Sequence, residues 1–510
     1  MRRKAWIISM KKLVSWWNTG IILVILGMLV IVNIKSLNYF INSDFAAQII
    51  LADVINESHS LLPNEWNFST EIHISFATLF SIFLLNFFSK WNVCYVISNI
   101  LTYIVLLFSG YYFCRKLKMK NTWIILTLAM FLAPISYWNL YYYTIGNEYL
   151  TYFIYEIIYL SLWLQVKDKY RNRDCFVLAV WSFFLGSMGM RYVLTSLAPA
   201  ILVEIINFVK KYRKKEVYTV KDYLGLCGTY VSFMLGVCLN KYVLLMHYTV
   251  KGHNRYFKSL EEMPNRLSIV LQRIFELFGY TEGALLFSVQ GIINILSFLF
   301  IMVIVISLIY FWKSLANDDY IRFVTYANVL NIAILVITCE DENYYNDIRG
   351  KYFILVLFLC FPVVSIMISK LLEREKILGG GVLIALSIFL AGSSMVSCMK
   401  KYNTDSFQYN RQIIDYLIDE DVTNGYASFW NANINVFHSD GKLSISPVKS
   451  FTTLELQRHI SSSRQYEYTQ SSDRYFLWLT EEEKEKYGES IPNVTNSFSA
   501  GNCTVYICVR

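Results

Sequence analysis

Charge is what this sequence lacks most. Only 16% of its 510 residues are Asp, Glu, Lys or Arg, against about 25% in ordinary soluble domains, and the mean hydropathy is +0.40. The shortfall is spread over most of the chain, as expected where charges must be kept out of lipid. Paired cysteines are lacking too. The ten Cys are scattered, none in a CxxC pair, so there is no disulfide framework and no metal cage. Cys503 and Cys508 lie an odd number of positions apart on an expected strand and so point to opposite faces. The six His are too dispersed for a ligand set. His59 and His73 share one loop but stand far apart in it, which leaves a divalent cation open without assigning one. There is no nucleotide-binding motif, internal repeat or low-complexity segment. The net charge of +8 falls in short basic clusters between apolar runs, a pattern of topology control rather than of nucleic-acid binding.

What the sequence has is apolar length. A spanning helix needs about 20 mostly apolar residues. Candidates are Trp17–Ile34, Val93–Cys114, Asn121–Tyr137, Glu148–Val166, Cys175–Met190, Arg191–Val209, Tyr223–Leu245, Leu285–Trp312, Ile321–Cys339, Lys351–Ile368 and Ile377–Cys398, about eleven by that length rule. MRRK and the first apolar run lack a small-residue cleavage site, so the run is expected to be an uncleaved span rather than a signal peptide. Basic clusters (Arg115–Lys120, Lys167–Arg173, Lys210–Lys215, Lys313 with Arg322, Lys370–Lys376) recur between pairs of spans. All of them become cytoplasmic if the short apolar segment Ile74–Phe88 does not fully cross. The N-terminus is then expected inside and the C-terminus outside. The fold class expected is an α-helical polytopic membrane protein, with residues 1–398 as the membrane module and 399–510 as a small external α/β domain. In that tail Phe407–Asp419 has helical spacing. Gly425–Trp430, Ile434–Phe437, Lys442–Val448, Tyr475–Leu479 and Thr504–Val509 read as strands. Thr480 with Glu483 makes a capping box.

The first external loop, Asn42–Ile74, carries the most chemistry. Asp44 follows the first span at once. Ala46, Ala47, Ile50, Leu51, Val54 and Ile55 then form a helical stripe fit for the membrane interface, Leu61–Pro63 breaks it, and Trp66, Phe68 and Glu71 follow. A carboxylate at the membrane surface suits a base acting on a lipid-linked substrate. It equally suits a helix cap, since Ser43 and Asp44 are both good N-cap residues. Arg191 in Gly189–Pro199, and Arg349 with Lys351 in Asn346–Phe353, put cations at the outer ends of spans, against the positive-inside trend. They suit either a phosphate or a lipid headgroup. Asn147 and Glu148 lie on the same side within a tyrosine-rich stretch that an interfacial aromatic belt also explains. The acidic run Cys339–Asp347 reads as a solvated face.

This loop resembles that of the GT-C superfamily of membrane glycosyltransferases, in the branch with protein O-mannosyltransferases and bacterial lipid A aminoarabinose transferases. The order is an acidic residue (Asp44), an interfacial helix (Phe45–Asn56), a break (LLPNEW) and a polar stretch (Ser69–Glu71). The branch's second acidic residue is Phe45 here, and STEIHI stands where the branch has Lys-Pro-Pro, so the chain would be a divergent bacterial member. The resemblance implies transfer of a sugar from a polyprenyl-phosphate donor to a glycan, lipid or protein acceptor at the outer face of the cell membrane, by inverting displacement. It implies that Asp44 deprotonates the acceptor, that Arg191 and Arg349 neutralise the leaving phosphate, and that Glu71 orients the acceptor or holds a cation. Trp66, Lys351, Asn147 and Glu148 are expected around the substrate. Gly425–Ile445 resembles a segment of bacterial membrane proteins assigned to the same superfamily; its Trp430 and Asn431, with Asn433, suit a sugar site or a plain strand end and turn. Two other classes remain open: a flippase or transporter of a lipid-linked glycan, and a non-catalytic envelope scaffold. A transporter should show inverted repeats and charges near mid-membrane, and neither is evident in the sequence.

Overall fold

A computed structural model describes residues 2–69, 71–214, 220–248, 256–311, 318–339, 348–374, 376–402 and 407–510. Most of the acidic run (340–347), Thr70 of the STE triplet, and Lys215 and Lys313 of the basic clusters lie outside these.

Apolar length produces helices where it was expected to. Among the described residues, seven helices are long and apolar enough to cross a membrane: Thr19–Phe40, Trp91–Lys116, Val193–Arg213, Gly225–His247, Val289–Tyr310, Asp319–Ile337 and Gly379–Met399. Two further helix pairs are long and apolar enough only together and are bent at a break, Asn121–Leu132 with Tyr137–Ile145 at 87° and Gly350–Leu357 with Cys360–Glu373 at 48°, which makes up to nine crossings if each pair is one span. Pro134 causes the first bend: Ala133 before it is extended (φ −61°, ψ 119°), as the residue preceding a proline prefers. The two remaining expected spans are the helices Glu148–Asp168 and Asn172–Met188. The first mixes Glu148, Glu156 and Lys167 into its apolar residues, and the second is only 17 residues long. The doubtful segment Ile74–Phe88 contains a helix of nine residues, Phe76–Leu84. At 1.5 Å per residue that is about 14 Å, half of a hydrocarbon core of about 30 Å, so it does not cross. Lys118–Asp168, Lys120–Glu373, Lys167–Glu204 and Lys167–Asp319 ion pairs join the basic clusters at one end of the bundle.

The loop helix Ser43–Ser58 departs from expectation. Instead of lying on the membrane surface it is buried almost all round, packed between Phe76–Leu84 and the tail helix Phe429–His438. The reason is in its residues. Phe45, Ile49 and Ala52, which lie off the predicted stripe, are apolar and buried too, and a helix apolar on every face belongs in a core.

The tail forms a five-stranded mixed sheet in the order Ser444–Pro447, Asn424–Ala427, Arg474–Thr480, Cys503–Val509, Val494–Ala500. The first three strands are mutually parallel and the last two run antiparallel to their neighbours. Cys503 and Cys508 belong to the cores on its two faces. The capping box at Thr480 and Glu483 is formed at both bonds. The expected strand Ile434–Phe437 is instead the end of the helix Phe429–His438. Every residue from Ala432 to Phe437 is buried, without the in–out alternation that a half-buried strand shows. This helix anchors the tail: Ser43 Oγ lies 2.7 and 2.8 Å from the carbonyl oxygens of Phe429 and Trp430. A short antiparallel pair, Trp66–Asn67 with Ser461–Ser462, and the ion pairs Lys90–Asp440 and Glu57–Arg464 complete the attachment. The tail therefore roofs the end of the bundle opposite the basic clusters.

Candidate active site

The site begins with the cap of the loop helix. Its N-cap residue is Asn42, whose side chain accepts from the Phe45 amide at 2.9 Å and donates to the Tyr141 hydroxyl. Asp44 lies inside the first turn and is not the cap. Its carboxylate takes no hydrogen bond from a described residue and faces a cavity of about 390 Å3. Burial pushes its carboxyl up to about 6; Lys351 and Arg349 oppose the rise and the charge of Glu148 adds to it. Phe45, where related loops carry a second acid, turns the other way. Its ring stacks 4.9 Å from Tyr141 and fills the place where any side chain at Gly146 would stand, 2.5 Å from a Cβ there.

Three cations and two further carboxylates converge on the same cavity: Arg191, Arg349, Lys351, Glu71 and Glu148, with Trp66 in the wall. They are not equivalent. Arg191 Nε and Nη2 lie 2.8 and 2.7 Å from Glu71 Oε2, and the guanidinium sits 3.7 Å from the centre of the Tyr152 ring. Both partners are thus already engaged with each other. Gly189 permits this. It has φ +142°, and a Cβ on it would stand 2.7 Å from the Glu71 carboxyl carbon. Lys351 Nζ instead rests over tyrosine rings, 5.3, 5.4 and 5.8 Å from the centres of Tyr142, Tyr149 and Tyr352. Arg349 is held by Tyr142. Neither forms an ion pair with a described carboxylate. These two cations, held by aromatic groups rather than neutralised, are the ones open to an anion.

Three expected residues lie elsewhere. Asn147 is buried and takes a left-handed conformation at the start of Glu148–Asp168. Its amide donates to Asn99 at 2.9 Å and Thr102 at 3.0 Å and accepts from Thr151 at 3.0 Å. It is a structural hub whose donors and acceptor are used up. Trp430 is 61% exposed and away from the cavity, and Asn431 donates to Ser428 within its own helix start. The Trp-Asn cluster serves docking: Asn433 donates to the Ile460 carbonyl at 2.9 Å. The tail reaches the cavity instead through His459 and Ile460, just before the strand paired with Trp66–Asn67. His59 is an exposed C-cap and His73 a cavity residue, so they do not meet. Among the described residues no group of three His, Cys, Asp or Glu is arranged to hold a metal ion.

Gln48, His73, Ser75, Thr78, Tyr149 and Tyr152 also line the cavity and were not expected there. Some were findable. Gln48 stands one helical turn after Asp44, and Tyr152 one turn after Glu148, so each shares a face with a residue already singled out. Gln48 takes a 2.5 Å bond from Ser75 and donates to the Gly146 carbonyl at 2.8 Å, which fixes the wall beside Asp44.

No protein-family model matches the chain and no curated relative matches it in sequence. Solved structures do match. ArnT from Cupriavidus metallidurans bound to undecaprenyl phosphate is 10% identical with a TM-score of 0.54, the match covering 97% of this chain and 98% of that one. The same protein in the apo state gives 10% identity and a TM-score of 0.54 over 92% and 93%. The apo oligosaccharyltransferase of Archaeoglobus fulgidus is 10% identical with a TM-score of 0.45 over 92% of this chain and 70% of that one. Near-complete coverage of both chains by ArnT includes the bundle, the roofing loop and the tail, and on that ground the chain has the fold of ArnT.

Proposed function

We propose that this protein transfers a sugar from a polyprenyl-phosphate donor to an acceptor at the outer face of the cell membrane, with Asp44 as the base. The observation that carries the reading is the cavity itself. A desolvated carboxylate, free of its capping duty, faces two unneutralised cations in a space within the size range of small-ligand sites. The likeness to a protein solved with undecaprenyl phosphate supports a lipid-phosphate donor. The basic clusters gathered at the opposite end of the bundle support an outward-facing cavity and tail, with residues 399–510 as an external domain.

Asp44 takes the proton of the acceptor nucleophile as that atom bonds to the anomeric carbon. The bond from that carbon to the phosphate oxygen breaks on the opposite side, so the configuration inverts. The departing polyprenyl phosphate carries a second negative charge, which Arg349 and Lys351 neutralise in low-dielectric surroundings. A base whose pKa lies near the working pH combines availability with proton affinity, and burial gives Asp44 that property. Arg191, tied to Glu71, holds the wall and its tyrosines rather than the phosphate. The acceptor is a glycan, lipid or protein reaching the cavity under the tail.

The test is transfer from radiolabelled undecaprenyl-phosphate sugars by the purified protein in nanodiscs, with envelope extract as acceptor. Label should move to an acceptor fraction and undecaprenyl phosphate should be released in equal amount. Donor that binds but is never consumed would point to a carrier of lipid-linked glycans instead.

A further inference from the structure

One cavity residue is left without a role by the mechanism above. His73 lines the cavity together with Arg191, Glu71 and Glu148, and the charges of Glu148 and Arg191 act on it. Its ring stacks on Tyr152, centre to centre 4.1 Å at 39°, and Tyr152 carries Arg191 on its ring as well. Stacking and the fixed neighbours leave the imidazole little freedom to turn. Nε2 is enclosed by protein and has no hydrogen-bond partner. Nδ1 also has none among the described residues but is not enclosed. Buried polar groups are nearly always paired, and an enclosed N–H is rarer than an enclosed lone pair. The proton of a neutral ring therefore belongs on Nδ1, the nitrogen left open to an occupant. Burial pushes the ring's pKa down to about 4, with Glu148 opposing and Arg191 adding, so the imidazole is neutral at physiological pH.

Resting on the glycosyltransfer reading, we infer that His73 is a specificity-determining residue whose Nδ1–H donates to a hydroxyl oxygen of the transferred sugar. The cations at Arg349 and Lys351 serve the phosphate. A neutral donor in the same cavity serves an uncharged partner, because a charged one would already be better met by the Arg or the carboxylates around it. A sugar hydroxyl accepts from one group and donates to another, and the carboxylate of Glu148 lines the same cavity as His73 and can accept. The pair would read one ring position. A site built to bond a hydroxyl discriminates against an analogue that lacks it, because its polar groups are then left unpaired.

The experiment uses the full-length protein in nanodiscs and undecaprenyl-phosphate monosaccharides of gluco and manno configuration, with the monodeoxy analogues of whichever is transferred. His73→Phe keeps the ring stack and removes the N–H. His73→Gln keeps an N–H donor. In the wild type, loss of one hydroxyl should lower kcat/KM about 3- to 10-fold. His73→Phe should show that loss on the intact sugar and no further loss on that one analogue, as expected for groups that interact. His73→Gln should recover part of the rate, and melting temperatures should stay together. Unchanged kcat/KM in His73→Phe, or a loss spread evenly over the whole series with a fall in Tm, overturns the inference while transfer by the wild type leaves the glycosyltransfer reading standing. A wild type that transfers none of the series overturns that reading and the inference with it.

Discussion

The unequal engagement of the cations gives the sharpest prediction. Arg349→Ala removes a guanidinium that lies beside Tyr142, has no ion pair with a described carboxylate and faces the cavity with Lys351. A charge-assisted bond to a phosphate contributes about 1.5–3 kcal/mol, or roughly one to two decades in Kd for the donor. Little stability should go with it, since no carboxylate loses its partner. Arg349→Lys should recover only part, because a point charge replaces a planar fork. Arg191→Ala should behave in the opposite sense. It strips Glu71 of its partner and Tyr152 of its stacked guanidinium. Breaking a fully buried pair costs about 3–5 kcal/mol; with side chains 23% and 18% exposed, solvent screening should bring this to roughly half. The assay is titration of undecaprenyl phosphate against wild type, Arg349→Lys, Arg349→Ala and Arg191→Ala in one nanodisc preparation, with Tm followed in parallel. Equal donor affinity at Arg349, or a donor loss at Arg191→Ala with no fall in Tm, would refute the division of labour.

Two further outcomes follow from the same geometry. Asp44 titrates near 6 when folded and near 3.8 when exposed. The folded state therefore holds its proton more tightly, and the contribution of this group to stability falls as pH rises from about 4 to 6. The transfer rate should instead rise with pH through about 6 and level off, so a flat pH–kcat/KM profile between 5 and 7 would count against Asp44 as the base. Sidedness is read by labelling intact cells with a membrane-impermeant thiol reagent: Ser471→Cys should label and Lys118→Cys should not, and the reverse pattern would invert the topology.

How much of this was legible in the sequence depends on the range of the forces involved. Helix positions are set by local apolar length and came through to within several residues, though of the eleven expected spans seven, or nine with the bent pairs, are long and apolar enough to cross; the capping box at Thr480, which involves only neighbours in the chain, came through as well. The brevity of Phe76–Leu84 was foreshadowed by the Lys and Arg distribution, because leaving it uncrossed was the only way to keep Arg115–Lys120 on the same side as the other clusters. Tertiary choices were not legible. Nothing local says that Asn42 rather than Ser43 or Asp44 caps the loop helix; Tyr141, about a hundred residues on, holds Asn42 in place. Burial of the loop helix required knowing that the tail lands on it. Trp430 and Asn431 carry chemistry suited to sugars, yet their helix was enlisted for docking, while His459 and Ile460, unremarkable in sequence, reach the cavity because a strand pair at Ser461–Ser462 pins them there. Asn147 shows the converse: a polar residue next in sequence to a carboxylate that lines the cavity, itself engaged in hydrogen bonds with Asn99, Thr102 and Thr151.

The central claim is that Asp44 acts as a base inside a donor-binding cavity, and Asp44→Asn tests it most directly. The amide preserves shape, the cap belongs to Asn42, and removing a desolvated carboxylate should leave Tm equal or higher. The account predicts that the variant binds undecaprenyl-phosphate sugar like the wild type and transfers none of it. Transfer at the wild-type rate by a folded Asp44→Asn protein would contradict it.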